Sequence, residues 1–414
     1  MTDHTGNHAV RNDPNLSRSI VLVTCIFFLW GLSYGLLDVL NKHFQEAMHI
    51  NKADSGILQV AYFLAYFVIA VPAALFNQRY GYKRGLIAGL VLFATGALLF
   101  IPALSISSFV CFVASLFILA CGLGFLETTA NPYISQLGEQ RYAEKRLNLA
   151  QAFCGLGTVI GPLIGGALFF GQETATITAA SHNLVLQVYV WIAVFVVLLA
   201  GVIAKTTMPA ISNAGQTPQA YRSLLAHPGY MTGVLAQFLY VAAQVGVGAF
   251  FINYATEAGV GLGSQNAAWL LSMAMFLFMA GRFIGTFSLG FLSPTKLLAV
   301  SALSCLALSM VVIVGQGYLA IGALTLIFFF MSIMFPTIFS LSINGLGDKT
   351  KIGSSLLAMA VSGGALYPYA MGYIADHYGT SAAYTLPLIS FAFILGFAMT
   401  QEKLGMPNPA VSQG

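Results

Sequence analysis

Apolar residues run along this chain in blocks of about 20, the length a helix needs to cross a bilayer. The blocks fall near 19–41, 56–76, 85–104, 108–135, 148–170 and 184–204, then near 229–253, 266–290, 296–315, 318–342, 353–374 and 380–401. The pattern predicts an all-α membrane protein of twelve transmembrane helices, in two groups of six. Between the groups lies 205–228, the longest polar interruption, containing Lys205, Arg222 and His227. The expected organisation is a tail at 1–18, a six-helix bundle at 19–204, a linker at 205–228, a second bundle at 229–401 and a tail at 402–414.

Charge gives this arrangement a direction. One set of alternate loops contains only Lys42 and Lys52, while the other set and both tails hold 14 of the 17 Lys and Arg residues, Arg141, Lys145, Lys296, Lys349 and Lys351 among them, and Arg282 lies near the inner end of span 8. Loops rich in Lys and Arg stay in the cytoplasm. Both termini and the linker are therefore expected on the cytoplasmic face of a cell membrane, the inner membrane if the source is bacterial. Composition agrees, with 58% of residues hydrophobic and 7% charged, which excludes an ordinary water-soluble enzyme. The 42 glycines suit close helix–helix approach in lipid. The net charge of +4 lies in short loops and forms no stripe, so the expected partner is the bilayer and not nucleic acid. Cys25, Cys111, Cys121, Cys154 and Cys305 fall in apolar spans without metal-ligand spacing or an evident disulfide pairing, and read as small buried side chains. The stretch 1–18 lacks the basic-then-apolar layout of a cleaved leader and reads as a cytosolic tail.

The two halves also resemble each other. Span 4 closes on Asn131-Pro132, followed by a charged loop and Gly155-Leu-Gly157-Thr-Val-Ile-Gly161-Pro162. Span 10 closes on Phe335-Pro336, followed by a charged loop and Ser362-Gly363-Gly364-Ala-Leu-Tyr367-Pro368. The paired prolines are 30 residues apart in the first half and 32 in the second. Two pseudo-symmetric six-helix bundles are the signature of a parallel-repeat transporter.

Two carboxylates interrupt the apolar pattern, Asp38 in span 1 and Glu127 in span 4. An acid at mid-bilayer costs roughly 2.5–3.5 kcal/mol on insertion scales, so each is expected to face the interior and to act there. On a helix, Trp30, Tyr34 and Asp38 recur every four residues with Asn41 three further on, all on one face. A pyranose needs that mixture, an aromatic surface for its C–H face and polar groups for its hydroxyls. Trp30 and Tyr34 read equally as packing aromatics. Glu127 and Asn131 are one turn apart on span 4, where Asn131-Pro132 is either a ligand or a kink whose amide satisfies a freed carbonyl. Asn148 and Gln151 open span 5, while Gln237, Tyr240 and Gln244 stripe span 7 and Gln59, Tyr62 and Tyr66 stripe span 2. Each amide fits a sugar hydroxyl or an interhelical hydrogen bond. Apart from Arg282 near an inner helix end, neither acid has a cationic partner within the spans. A buried acid without one favours its neutral form, which suits a proton carrier. Tyr367-Pro368-Tyr369 predicts a break or gate in span 11. The sequence has no His/Asp/Cys constellation, metal pair or phosphate-cradling loop, so no enzyme activity, cofactor or metal is expected.

These residues carry a family resemblance. Phe28-Leu-Trp30-Gly31, Asp38 with Asn41, Gly122-Leu-Gly124 ahead of Leu126-Glu127, and Ala130-Asn131-Pro132 come first. Arg146-Leu-Asn148-Leu-Ala-Gln151, Ala243-Gln244, Gly281-Arg282-Phe283 and Phe335-Pro336-Thr-Ile-Phe-Ser follow. In this order, over Phe27 to Phe397, the set resembles the major facilitator superfamily and, within it, the fucose permease or sugar–proton symporter family. The resemblance implies a rocker-switch sugar carrier with its cavity between the halves, lined by spans 1, 4, 7 and 10. It implies proton coupling and sugar binding at Asp38 and Glu127, and points to Gln151 and Gln244 as sugar ligands beside Asn131, Asn41, Trp30, Tyr34, Asn148 and Gln237. The superfamily's gate loop survives in degenerate form as Asn77-Gln-Arg79-Tyr-Gly81-Tyr-Lys83-Arg84, with Arg79, Lys83 and Arg84 as latch candidates and Tyr367 and Pro368 as gate candidates on span 11. Cys154 stands one turn after Gln151 where studied fucose permeases carry an amide, so L-fucose and a related hexose such as glucose or galactose both stay open as substrates. Gly157-x-x-x-Gly161-Pro162-x-x-Gly165-Gly166 is similar to the span-5 motif of drug–proton antiporters, and is equally a small-residue packing stripe.

The expected function is import of a monosaccharide by proton symport through alternating access, by a monomer without a cofactor. Two other transport readings stand beside it. Sodium coupling would use Thr128 and Thr129 as cation ligands near the acids, and proton-coupled export of a drug or metabolite would use the span-5 glycines.

Overall fold

A chain in lipid must satisfy its backbone polar groups internally, and a helix does this within each segment. The computed structural model is helical almost throughout and describes residues 14–106, 108–138, 143–170, 177–209, 224, 228–344, 346 and 350–403. Most of the two tails and of the expected linker lies outside the described residues. The first six spans are single helices: α1 (Pro14–Met48), α2 (Lys52–Tyr80), α3 (Tyr82–Ile106), α4 (Phe109–Gln136), α5 (Ala143–Phe169) and α6 (Ile177–Lys205). Among the described residues, 11 helices are long and apolar enough to cross a membrane.

The later spans are more often interrupted. Span 7 is α7 (Pro228–Ala249) and α8 (Phe251–Glu257), broken at Phe250. Spans 8 and 9 are α9 (Ser264–Ser288) and α10 (Pro294–Val314). Ser293 caps α10 by accepting the Lys296 amide, and Pro294 follows in the first turn, where its missing N–H costs no bond. Span 10 is α11 (Gly317–Met331) and α12 (Met334–Ile343). Span 11 is in three pieces, α13 (Thr350–Met359), a 3-10 turn at Ala360–Ala365 and α14 (Tyr367–Tyr378), so no single helix crosses there. The turn lies just ahead of the expected Tyr367-Pro368 break. It carries Gly363 and Gly364, whose missing side chains admit the Phe238 carbonyl and the Phe63 ring. The short α15 (Thr380–Ala383) and α16 (Thr385–Lys403) complete the chain.

The chain forms two compact units, each assembled from several stretches. One comprises Met1–Gly35, Leu64–Gly161 and Thr174–Gly215, and the other Leu36–Phe63, Pro162–Glu173 and Gln216–Gly414. This division differs from 19–204 and 229–401 because the end of α1, the start of α2 and the end of α5 pack with the later helices.

Small residues set the closest approaches. Within the first unit, a Cβ on Gly31 would collide with the Cys154 carbonyl and one on Gly157 with the Phe28 carbonyl, so α1 and α5 meet backbone to backbone. The span-5 glycine stripe is thus a packing surface. Gly96 and Gly122 do the same for α3 and α4, and the Phe100 and Tyr189 rings stack at 4.1 Å between α3 and α6. Gly31→Ala is expected to destabilise the fold by about 1–3 kcal/mol through overpacking. Gly201→Ala, where nothing lies within 4 Å of the new Cβ, is expected to be neutral or to stabilise α6 by roughly 0.5–1 kcal/mol. Thermal melts of the two variants in one detergent check the contrast.

Candidate functional site

In the first unit, Glu127 of α4 sits in a recess lined by Ile26, Phe27 and Trp30 of α1 and by Leu123, Leu126 and Ala130 of its own helix. Glycine-mediated packing of α3 on α4 leaves the Glu127 face for α1. Trp30 and Phe27, three residues apart, reach the recess together, with ring centroids 6.0 Å apart and planes tilted by 58°. Glu127 is half-buried and has no hydrogen-bond partner among the described residues. A carboxyl with an indole at its side and otherwise apolar neighbours can take up or give a proton, or accept a hydroxyl, without competition from a bound cation.

The neighbouring hydroxyls are already engaged. Thr128 donates to the Gly124 carbonyl at 2.9 Å, and Thr129, fully buried, donates to the Phe125 carbonyl at 2.7 Å while accepting from Asn77 at 2.9 Å. Both are turned into their own helix or toward α2, an arrangement that does not favour the sodium reading. Among the described residues no group of three or more His, Cys, Asp or Glu side chains could hold a metal.

The amides differ in how available they are. The side-chain amides of Asn131 and Gln151 are half-buried and keep no hydrogen-bond partner among the described residues, and Asn148 is exposed. Tyr34 is half-buried and engaged in contacts. The backbone of Cys154 is pressed against Gly31, so this residue helps to set the α1–α5 distance. On α7, Gln244 is half-buried, whereas Gln237 is fully buried with both amide atoms unpaired.

In the second unit, Asp38 is 1% exposed and neither carboxyl oxygen has a hydrogen-bond partner among the described residues. Gly248 of α7 makes room for it, since a Cβ there would lie 2.8 Å from Oδ2. The Gln59 amide lies next to Asp38 without closing a hydrogen bond, and its own two polar atoms are also unpaired. Asn41, one turn on, has a protein partner instead of an open face. Its Nδ2 donates at 3.1 Å to the Ala249 carbonyl, which the break at Phe250 frees from the helix ladder. Gln45 continues the stripe, donating from Nε2 to Asn41 Oδ1 at 3.1 Å and to Ser55 at 2.7 Å, while its Oε1 accepts from Asn253 of α8 at 2.5 Å.

The loop candidates fasten helix ends. Lys83 donates to the Ala204 carbonyl at 2.9 Å in the last turn of α6, a favourable place for a cation. Arg79 lies over the Tyr80 ring at 5.3 Å and Arg84 is exposed. Arg146 caps α4, its guanidinium donating to the Ile134 and Ser135 carbonyls at 3.2 Å each. Tyr367 is buried with its hydroxyl 2.7 Å from Ser390 Oγ, and Pro368 sits in the first turn of α14. Gln45, Ser55 and Asn253 were not predicted from the sequence. Only Gln45 left a trace there, four residues beyond Asn41 on the face that carries Asp38.

Helices of this length, with two unpaired acids and a set of amides inside their spans, define a multi-pass membrane transporter and not an enzyme. The Major Facilitator Superfamily model matches residues 23–365, and the chain belongs to that superfamily, in its fucose permease branch of sugar–proton symporters. It is 37% identical to the L-fucose-proton symporter of Escherichia coli K12, covering 95% of this chain and 96% of that one. It is 34% identical to a glucose/galactose transporter of Brucella abortus, again over 95% of this chain and 96% of the relative. The crystal structure of the superfamily transporter FucP in its outward conformation matches with a TM-score of 0.70 at 37% identity, over 94% of this chain and 99% of that one.

Proposed function

We propose that this chain imports a monosaccharide, L-fucose or a related hexose such as glucose or galactose, together with a proton. The observation that carries the reading is Glu127, a carboxyl without a cationic partner among the described residues, sharing a recess with the Trp30 ring. Relatives similar over nearly the whole chain, named for L-fucose and for glucose and galactose, support the substrate class. No cofactor takes part, the coupling ion is the proton, and the transporter works as a monomer. Both termini face the cytoplasm, a reading that the distribution of Lys and Arg supports.

Sugar stacks on Trp30 and hydrogen-bonds to the side-chain amides of Asn131 and Gln151, while Glu127 exchanges the coupled proton beside it. Asp38 links protonation to conformation. At 1% exposure and with no hydrogen-bond partner for its carboxyl among the described residues, Asp38 has neither water nor a cation beside it, and burying an unpaired charge is costly. Closing α1 onto α7 around Asp38 therefore requires the proton, and an empty, deprotonated carrier does not complete that movement. Such a rule keeps the gradient from leaking.

Uptake of a panel of labelled sugars into sodium-free proteoliposomes tests the reading. Accumulation driven by an imposed pH gradient and collapsed by a protonophore is expected; accumulation only with sodium, or net export, would overturn it. Trp30→Ala is expected to weaken sugar binding about tenfold, or 1.4 kcal/mol, and Trp30→Phe to retain most of it, as read by calorimetric titration.

A further inference from the structure

The first turn of α2 is held from a distance. Asp376, near the end of α14, accepts the Lys52 backbone N–H at 3.1 Å on Oδ1 and the Ala53 N–H at 2.9 Å on Oδ2. It caps a helix more than three hundred residues earlier, where orphan N–H groups and the helix dipole favour an anion. The Lys52 side chain then pairs with Glu257 of α8 at 2.7 Å and donates to Thr380 at 3.0 Å. Thr380 in turn donates to the other Glu257 oxygen at 2.7 Å. Backbones meet beneath this layer, since a Cβ on Gly372 would collide with the Lys52 carbonyl and one on Gly56 would lie 2.6 Å from that of Pro368. Further in, the buried Gln45–Asn253 hydrogen bond joins α1 to α8.

Apart from Thr380–Glu257, which lies within the later half, each of these contacts joins a residue of spans 1–2 to a residue of spans 7–12, the two halves that the sequence repeat separates. Lys52 is also one of only two basic residues in the loops assigned to the outer face. We propose that Asp376, with Lys52–Glu257 above and Gln45–Asn253 below, is the clasp that shuts the outer end of the transporter. The present structure holds it closed, and opening outward requires α2 to leave the Asp376 carboxylate. Asp376 is then a positioning residue that sets the balance between outer-closed and outer-open forms without touching sugar. The inference rests on the transporter reading, but its test needs neither sugar nor a proton gradient, so the two can fail separately.

The test is electron–electron resonance between spin labels at Ile50→Cys and Tyr378→Cys, in full-length protein in nanodiscs with the five native cysteines replaced. A dominant short distance is expected in this background. Asp376→Ala should raise the ratio of long to short distances roughly tenfold, as loss of a strong cap would, and Lys52→Met about threefold, as loss of a surface ion pair would. If Asp376→Ala does not fold, Lys52→Met carries the test. Unchanged distances in a monodisperse variant would overturn the clasp, and so would broadening about an unchanged mean, which marks fraying of one helical turn.

Discussion

Glu127→Gln is expected to abolish uphill sugar accumulation while leaving sugar exchange across the membrane intact. Glutamine keeps the shape and the hydrogen-bonding reach of the side chain, so the recess beside Trp30 and Phe27 keeps its geometry. What it lacks is a group that can take up and release a proton by titration. A gradient of one pH unit stores 1.36 kcal/mol per proton, enough for about tenfold accumulation at one proton per sugar. In the variant that ratio should fall to one. Counterflow, in which labelled sugar enters against unlabelled sugar leaving, should persist with affinity changed by less than about threefold. Retained tenfold accumulation would remove Glu127 from the coupling step. Loss of counterflow as well would make it a sugar ligand only.

Asp38→Asn should also lose uphill accumulation, for a different reason. Asp38 is packed against Gly248 and Gln59 with both oxygens unpaired, so the neutral amide fits the space that the neutral acid occupies. The fold should therefore be preserved, with stability within about 1 kcal/mol of the native protein in thermal melts. The variant mimics the protonated carrier permanently and can close around α7 whether or not a proton is available. Coupling is lost because the empty carrier now completes the cycle. Gly248→Ala probes the same contact from the other helix, because its Cβ would lie 2.8 Å from Asp38 Oδ2 and hold the two helices apart. It should slow transport without changing which ion drives it.

Features that depend on local periodicity were legible in the sequence. Hydropathy located the spans, and Asp38 and Glu127 stood out because lipid gives a carboxylate no other reason to be there. The shared face of Trp30, Tyr34, Asp38 and Asn41 followed from helical spacing alone. Their partners did not, because partners are chosen by packing. Asn41 read as a sugar ligand from its position, yet in the structure it donates to Ala249, a carbonyl exposed only because span 7 breaks at Phe250. The sequence marks that break only through Gly246 and Gly248 just before it, since neither proline nor glycine stands at its centre. The break in span 11 was expected at Tyr367-Pro368 and lies at Ala360–Ala365. Proline is at ease in the first turn of α14, while Gly363 and Gly364 form the turn itself. The Asp376 clasp was invisible for the plainest reason: its two ends are separated by most of the chain, and only the loop charge of Lys52 hinted at its existence.

The most direct test of the central claim is to record external pH when sugar is added to a lightly buffered, sodium-free suspension of proteoliposomes. Alkalinisation in step with sugar entry is expected, as protons leave the medium with the sugar, and none with Glu127→Gln. Sugar entry without proton movement, or entry only when sodium is supplied, would contradict it.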